Sequence, residues 1–258
     1  MSAGRIRRRQ AASLWRLAAA GLVVSVAACG AVGSGLATDS GPDEADTVDV
    51  SSPADAAVAT DTRTLREGDL YVALRGERFD GHDFLEAAFA GGAWGVLVQD
   101  SYWAALPEQR RRRLSTLGAV MCAEDTERAL GDLAAGYRRS LDDKVVALTG
   151  SNANTTTNDM TTAIATRRQK VHSTTRNLNN QIGLPLSVLA TTAEDQAAVF
   201  EMGMNHRGEI GRLTEIAAPD IAVVTNVGSA HLEHLGSVEA VAEAKAELLT
   251  GMKVDGTA

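Results

Sequence analysis

The chain has 258 residues, 45% hydrophobic and 22% charged, enough to bury one large domain or two modest ones. Aromatics are only 4%, whereas glycine, alanine and valine are plentiful, which favours α/β layers over a β-sandwich. A formal net charge of -8 argues against a general nucleic-acid binder, so no nucleic-acid partner is expected.

The N-terminus opens with Arg5, Arg7, Arg8 and Arg9, continues with the apolar run Leu17 to Ala28, and reaches Val26-Ala27-Ala28-Cys29. Residues 1–29 have the pattern of a secretory signal, and the last four resemble a bacterial lipoprotein cleavage box. The run is too short for a transmembrane helix. An Ala-rich helix or a start codon placed too early is the plainer alternative. A membrane contact through Cys29 is expected only if the signal is real. Residues 30–57 are rich in Gly, Ser, Asp and Ala, cannot repay their ordering entropy and read as a flexible linker. The other cysteine, Cys122, lies in the apolar run "LGAVMCAED" and reads as a core thiol. Neither cysteine belongs to a C-x-x-C pair or a zinc-spaced cluster.

Residues 58–140 alternate strands and helices. "DLYVAL" (Asp69 to Leu74) reads as a strand. Asp83 to Ala90 reads as a helix, with Asp80 or Asp83 placed to cap its free N–H groups and Gly91-Gly92 to end it. Trp94 to Val98 and Ala119 to Ala123 are further strands, and Arg110 to Arg113 reads as a solvated helix face. Thr126 to Arg139 is a helix with Leu130, Leu133 and Tyr137 on one face. The stretch "DTRTLREGDLYVALRGERFDGHDFLEAAFAGGAWGVLV" resembles the UDP-sugar-binding domain of the Mur ligases, which extend the peptide of the peptidoglycan precursor. The resemblance implies that Thr62 and Arg63 contact the uridine diphosphate, through a hydroxyl and a guanidinium that both donate to phosphate oxygens. Gly81 and His82 are expected beside them. Taken alone, Arg63 reads as a surface ion pair.

Residues 141–258 open with Lys144 to Thr149, a continuous apolar run of the kind found in central parallel strands. Gly150 begins a turn and Thr155 to Arg168 a helix. Such a strand–turn–helix aims backbone N–H groups at an anion. The Mur ligase pattern here is Thr-Gly-Ser/Thr-Asn-Gly-Lys-Thr-Thr. This chain has Thr149-Gly150-Ser151-Asn152-Ala153-Asn154-Thr155-Thr156. Ala153 adds a Cβ where the glycine lets the backbone approach phosphate. Asn154 removes the lysine charge, a loss on the order of 10²–10³-fold in rate. Thr155 keeps the position that holds Mg²⁺.

Downstream, "VHSTTRNLNNQIGLPLSVL" resembles the family's substrate segment, with Asn177, Asn179, Asn180 and Gly183 in place, while its Lys-Thr-Glu-Gly opening has become Ser173-Thr174-Thr175-Arg176. The longer stretch from "AAVFEMGMNHRGEIG" to "AEAKAEL" resembles the family throughout. It implies that Glu201 binds Mg²⁺ or its water, that His231 ligates a second metal ion, and that Lys245 is carbamylated and becomes an oxygen ligand. Singly, these three read as a helix cap, a turn residue and a surface charge. Met202 and Met204 read as packing residues, and His206 and His234 have no assigned role.

The expected fold is α/β: a small N-terminal UDP-binding α/β domain followed by an incomplete P-loop-type parallel-sheet ATPase domain. The family members it most resembles join D-alanyl-D-alanine to UDP-N-acetylmuramoyl-tripeptide through an acyl phosphate, using ATP and Mg²⁺ in the cytoplasm. The resemblance covers about half of such a ligase, so an impaired or inactive chain is expected. An exported lipoprotein that binds cell-wall precursor fragments without ATPase activity is the alternative from another class.

Overall fold

The computed structural model describes residues 57–253, apart from Ala153, Arg176 and His231. The signal-like segment, Cys29 and almost all of the linker lie outside the described residues. The chain divides into two compact units, one running to Thr126 and the other starting at Glu127. Among the described residues, no helix is long and apolar enough to cross a membrane.

In the first unit, β1 (Val58–Ala59), β2 (Leu70–Val72), β3 (Gly95–Gln99) and β4 (Ala119–Ala123) form one parallel sheet in that order. Helices α1 (Leu85–Ala90), α2 (Asp100–Ala105) and α3 (Glu108–Leu117) connect them. The core gathers Tyr71, Leu85, Val96, Val98, Trp103 and Leu114. β2 is shorter than "DLYVAL" suggests because the backbone of Leu74 turns to Gly81, whose N–H donates to its carbonyl at 2.8 Å. A Cβ on Gly81 would lie 2.8 Å from Leu74 N, so glycine is required there. Asp80 caps the short 3₁₀ turn Gly81–Phe84 that leads into α1.

The His82 side chain is wholly buried. Its Nε2 accepts the Gln99 N–H at 2.9 Å, so Nδ1 carries the proton and faces Asp80 Oδ1 at 2.5 Å. The ring therefore pins the end of β3 to the turn before α1. The arginine run is the expected solvated face. Arg110 makes a two-pronged pair with Glu86 at 2.9 and 3.0 Å, and Arg112 pairs with Glu108 four residues earlier.

The second unit contains α4 (Thr126–Arg138), β5 (Lys144–Thr149), α5 (Asn154–Ala165), β6 (Val171–Ser173), α6 (Gly183–Ala190) and β7 (Ala197–Glu201). It continues with α7 (Glu209–Ala217), β8 (Ile221–Val224), α8 (Leu232–Leu235) and α9 (Val238–Thr250). Its sheet is parallel, in the order β6-β7-β5-β8. The chain leaves β5 for one edge, returns through β7, then crosses to β8 on the far side. In open α/β sheets this reversal opens a crevice at the C-terminal strand ends, where ligands bind. The core joins Val145, Ala147, Leu184, Phe200, Ile216 and Val241.

α4 packs with this second unit, because Ala134 and Ala135 belong to its core and the Tyr137 hydroxyl donates to Thr191 O at 2.7 Å. At the end of α4, the buried Arg138 guanidinium donates to Asp143 Oδ1 at 2.6 Å, Asp143 O at 2.8 Å and Ala217 O at 3.2 Å. It thereby ties α4, the start of β5 and the end of α7 together. Removing one member of a buried ion pair strands the other charge. Arg138→Met is expected to cost about 3–5 kcal/mol of unfolding free energy. The check is a lowered urea midpoint at unchanged slope; an unaltered midpoint would contradict the buried pair.

Candidate active site

Three loops meet at the C-terminal ends of β5, β7 and β8. The first begins after Thr149. Gly150 is packed so closely that a Cβ would lie 1.9 Å from Thr225 Oγ1, and no other residue type fits without a rearrangement. The Ser151 N–H donates to Asn226 Oδ1 at 2.8 Å, and the Asn152 N–H donates to the same oxygen at 3.0 Å. Asn154 opens α5 and turns back on the loop. Its Nδ2 donates to Gly150 O at 2.7 Å, and its Oδ1 accepts the Thr225 hydroxyl at 3.0 Å. Ala153 lies outside the described residues. Thr156 is exposed on the first turn of α5.

β7 delivers Glu201, a buried carboxylate, at its C-terminal end. Its Oε2 accepts the Thr155 hydroxyl at 3.2 Å and its Oε1 accepts Asn179 Nδ2 at 3.0 Å. The Glu201 N–H donates to Thr174 Oγ1 at 3.1 Å, which fixes the strand end beside the segment after β6. Asn179 is itself held, since its carbonyl accepts the Gly203 N–H at 2.8 Å. Thr155 and Glu201, 46 positions apart, therefore present a hydroxyl and a carboxylate to one point. Both are hard oxygen donors of the type Mg²⁺ prefers.

Lys245 comes from α9. Its side chain is almost fully buried, and Nζ donates to Thr149 Oγ1 at 3.5 Å. Burial pushes its pKa below the usual 10.5. Lys245 borders a cavity of about 410 Å³ together with Gly150, Ser151, Asn154, Asn179 and Asn180.

The structure thus brings Gly150, Ser151, Asn154, Asn180 and Lys245 to one cavity, with Thr155 and Glu201 linked to it through Asn179. His231 lies outside the described residues. Asn177 is exposed in the turn after β6. Asn180 borders the cavity and also starts α6, accepting the N–H groups of Ile182 at 3.2 Å and Gly183 at 2.8 Å. Thr62 and Arg63 belong to the first unit. There the exposed Arg63 guanidinium grips Asp61, with Nη2 to Oδ2 at 2.6 Å, and holds that carboxyl down to about 2. Met202 and Met204 pack in the core as expected. The rings of His206 and His234 lie 5.0 Å apart. Sequence reasoning placed Asn179 in the substrate segment without a role beside Glu201, and it assigned no site role to Thr225 and Asn226. The available signal for the last two was position, since they come after β8 as Gly150 comes after β5.

Comparison with known proteins gives consistent matches. The Mur ligase family catalytic-domain model matches residues 56–138, and the Mur ligase middle-domain model matches residues 148–258. The UDP-N-acetylmuramoyl-tripeptide–D-alanyl-D-alanine ligase of Bacillus subtilis is 46% identical over 199 residues, which are 77% of this chain and 42% of that protein. The Escherichia coli ligase of the same name is 43% identical over 78% of this chain and 42% of its own length. Among solved structures, MurF ligase from Thermotoga maritima in complex with ADP superposes with a TM-score of 0.69 at 33% identity, over 78% of this chain and 45% of that one. MurF from Acinetobacter baumannii gives 0.69 at 36% identity, over 77% and 42%. The chain therefore spans less than half the length of the relatives it matches.

The buried Lys245 amine makes a pH prediction. Its folded pKa is depressed, so the unfolded chain binds the extra proton more readily. The penalty is complete below the folded pKa and disappears as pH rises to 10.5. In CO₂-free buffer, wild-type stability should rise over that window, and Lys245→Met should be more stable at neutral pH and lack the rise. Urea midpoints at a series of pH values check both.

Proposed function

Because the chain belongs to the Mur ligase family, we propose that it carries the nucleotide and metal frame of an ATP-dependent peptide ligase. The reaction assigned to it adds D-alanyl-D-alanine to UDP-N-acetylmuramoyl-tripeptide in the cytoplasm, where peptidoglycan precursors and ATP occur together. The observation that carries this reading is the pairing of Thr155 with Glu201 beside the glycine turn after β5. Relatives at 46% and 43% identity named for that reaction support the choice of substrates.

In this reading Thr155 and Glu201 hold Mg²⁺, and Gly150 to Thr156 face the nucleotide phosphates. His231 and Lys245 serve a second ion, Lys245 as its carbamate. Burial favours that modification chemically. The neutral amine is the nucleophile, and it adds to the carbon of CO₂, releases a proton and becomes an anionic oxygen ligand. Thr62 and Arg63 take the uridine diphosphate, and Asn177 and Asn180 the peptide end. Mg-ATP supplies the phosphoryl group that activates the tripeptide carboxylate for the dipeptide amine. The residues present fit the metal better than the triphosphate. Asn154 brings no charge, and the first loop amides already have acceptors.

Calorimetric titration with Mg-ATP tests the reading. Wild type should bind weakly, and Ala153→Gly/Asn154→Lys should bind on the order of 10²-fold tighter. A double variant that binds no Mg-ATP would overturn it. Asn179 acts on the metal through Glu201 and is a positioning residue. In the double variant, Asn179→Ala should raise the Mg²⁺ requirement about tenfold while Mg²⁺-free nucleotide affinity stays constant. A general fold defect would lower both.

A further inference from the structure

Residues Thr225 to Gly228 lie across the loop after β5 as a strap. Two successive N–H groups, of Ser151 and Asn152, converge on one atom, Asn226 Oδ1, at 2.8 and 3.0 Å. The Ser151 N–H also reaches the Asn226 carbonyl at 3.2 Å. The Gly228 N–H donates to the Ser151 hydroxyl at 2.9 Å. The Thr225 hydroxyl donates to Asn154 Oδ1 at 3.0 Å, and the same carboxamide donates back to Gly150 O at 2.7 Å. Successive N–H groups aimed at one oxygen form an anion-binding concavity. Here a neutral carboxamide oxygen fills it.

The residue at 154 is part of the device. An asparagine side chain has both an acceptor and a donor, whereas a lysine has only donors. Only the former can take the Thr225 hydroxyl while bonding Gly150 O. The substitution that removes a phosphate-binding charge therefore also supplies the acceptor that fastens the strap.

We infer that Asn226 is an intramolecular occupant of the phosphate loop, latched by the Thr225–Asn154 bond, and that phosphate enters only by displacing it. This rests on the nucleotide-binding reading above and adds a closed state to that site. Phosphate oxygens are charged and make stronger bonds to N–H groups than a carboxamide does, so exchange is favourable once the strap lifts.

Asn226 is exposed, so its replacement disturbs no core. The test titrates inorganic pyrophosphate and Mg-ADP into wild type, Asn226→Ala, Asn226→Asp and the Ala153→Gly/Asn154→Lys chain. Removing two competing hydrogen bonds should tighten binding by Asn226→Ala about tenfold. Asn226→Asp, with a carboxylate in the same place, should bind more weakly than wild type. Amide exchange at Ser151 and Asn152 should be slow in wild type and fast in Asn226→Ala. Equal or weaker binding by Asn226→Ala, with Mg-ADP still bound by the Ala153→Gly/Asn154→Lys chain, overturns the latch and leaves the ligase reading standing. Absence of Mg-ADP binding by every chain overturns both.

Discussion

The parallel pairing of β5 with β7 on one side and β8 on the other sets the geometry of the second unit. In that register Leu148 stands opposite Glu201, and Thr149 stands opposite Val224. Three strands therefore end level, and their C-terminal loops emerge at one place. The glycine turn, the Glu201 carboxylate and the Thr225-Asn226 strap become neighbours without any long side chain having to reach. A slip of one residue would turn Glu201 to the opposite face of the sheet and separate it from Thr155. The buried network at Arg138 supports this register from the other end, because it fixes the first residues of β5 against α4 and α7.

The electrostatics of the cavity depend on how few cations line it. Among the described residues bordering it, Lys245 is the cation, while Glu127 and Glu209 are acidic. Burial lowers the pKa of that Lys245 amine below its usual 10.5. The hydrogen-bonding work is done by neutral groups: Asn154, Asn179, Asn226, Thr155 and Thr225. A neutral, hydrogen-bonded wall beside a buried carboxylate suits a hard divalent cation. It offers little positive charge to a polyanion that arrives alone.

Much of this arrangement was legible in the sequence where hydrophobic pattern alone decides. The runs at 119–123, 144–149 and 197–201 have no competing reading, and each is a strand. The short β6 and the helix α6 built from "GLPLSVLA" carried no such pattern and emerge only from packing, whereas α7 does carry one, with Ile210, Leu213, Ile216 and Ala217 buried on one face. Lys245 was legible by resemblance, but an Ala-rich helix gives no sign of which face is inward. It is buried because Ala240, Val241, Ala244 and Leu248 turn that face to the sheet. His82, which the resemblance implies beside Thr62 and Arg63, has both ring nitrogens taken by the fold, one by Asp80 and the other by the Gln99 N–H, and no sequence pattern foretells that. The strap was beyond sequence reasoning, since Ser151 and Asn226 are 75 positions apart and are joined by a side chain whose type is common in loops.

The difference between asparagine and lysine at position 154 is therefore not only one of charge. A lysine has no acceptor to offer, so the Thr225 hydroxyl would be left with Thr149 O at 3.3 Å and Asn152 O at 3.4 Å. The asparagine folds back over four residues and makes the loop its own ligand. Hydrogen-bond polarity and charge change together in this one substitution, and they act in the same direction. The lost ammonium weakens the hold on phosphate, and the gained acceptor strengthens the competitor. Restoring the charge also removes the acceptor, so the affinity of a chain with lysine at 154 combines two effects. Only replacement of Asn226, which leaves the charge at 154 untouched, separates them.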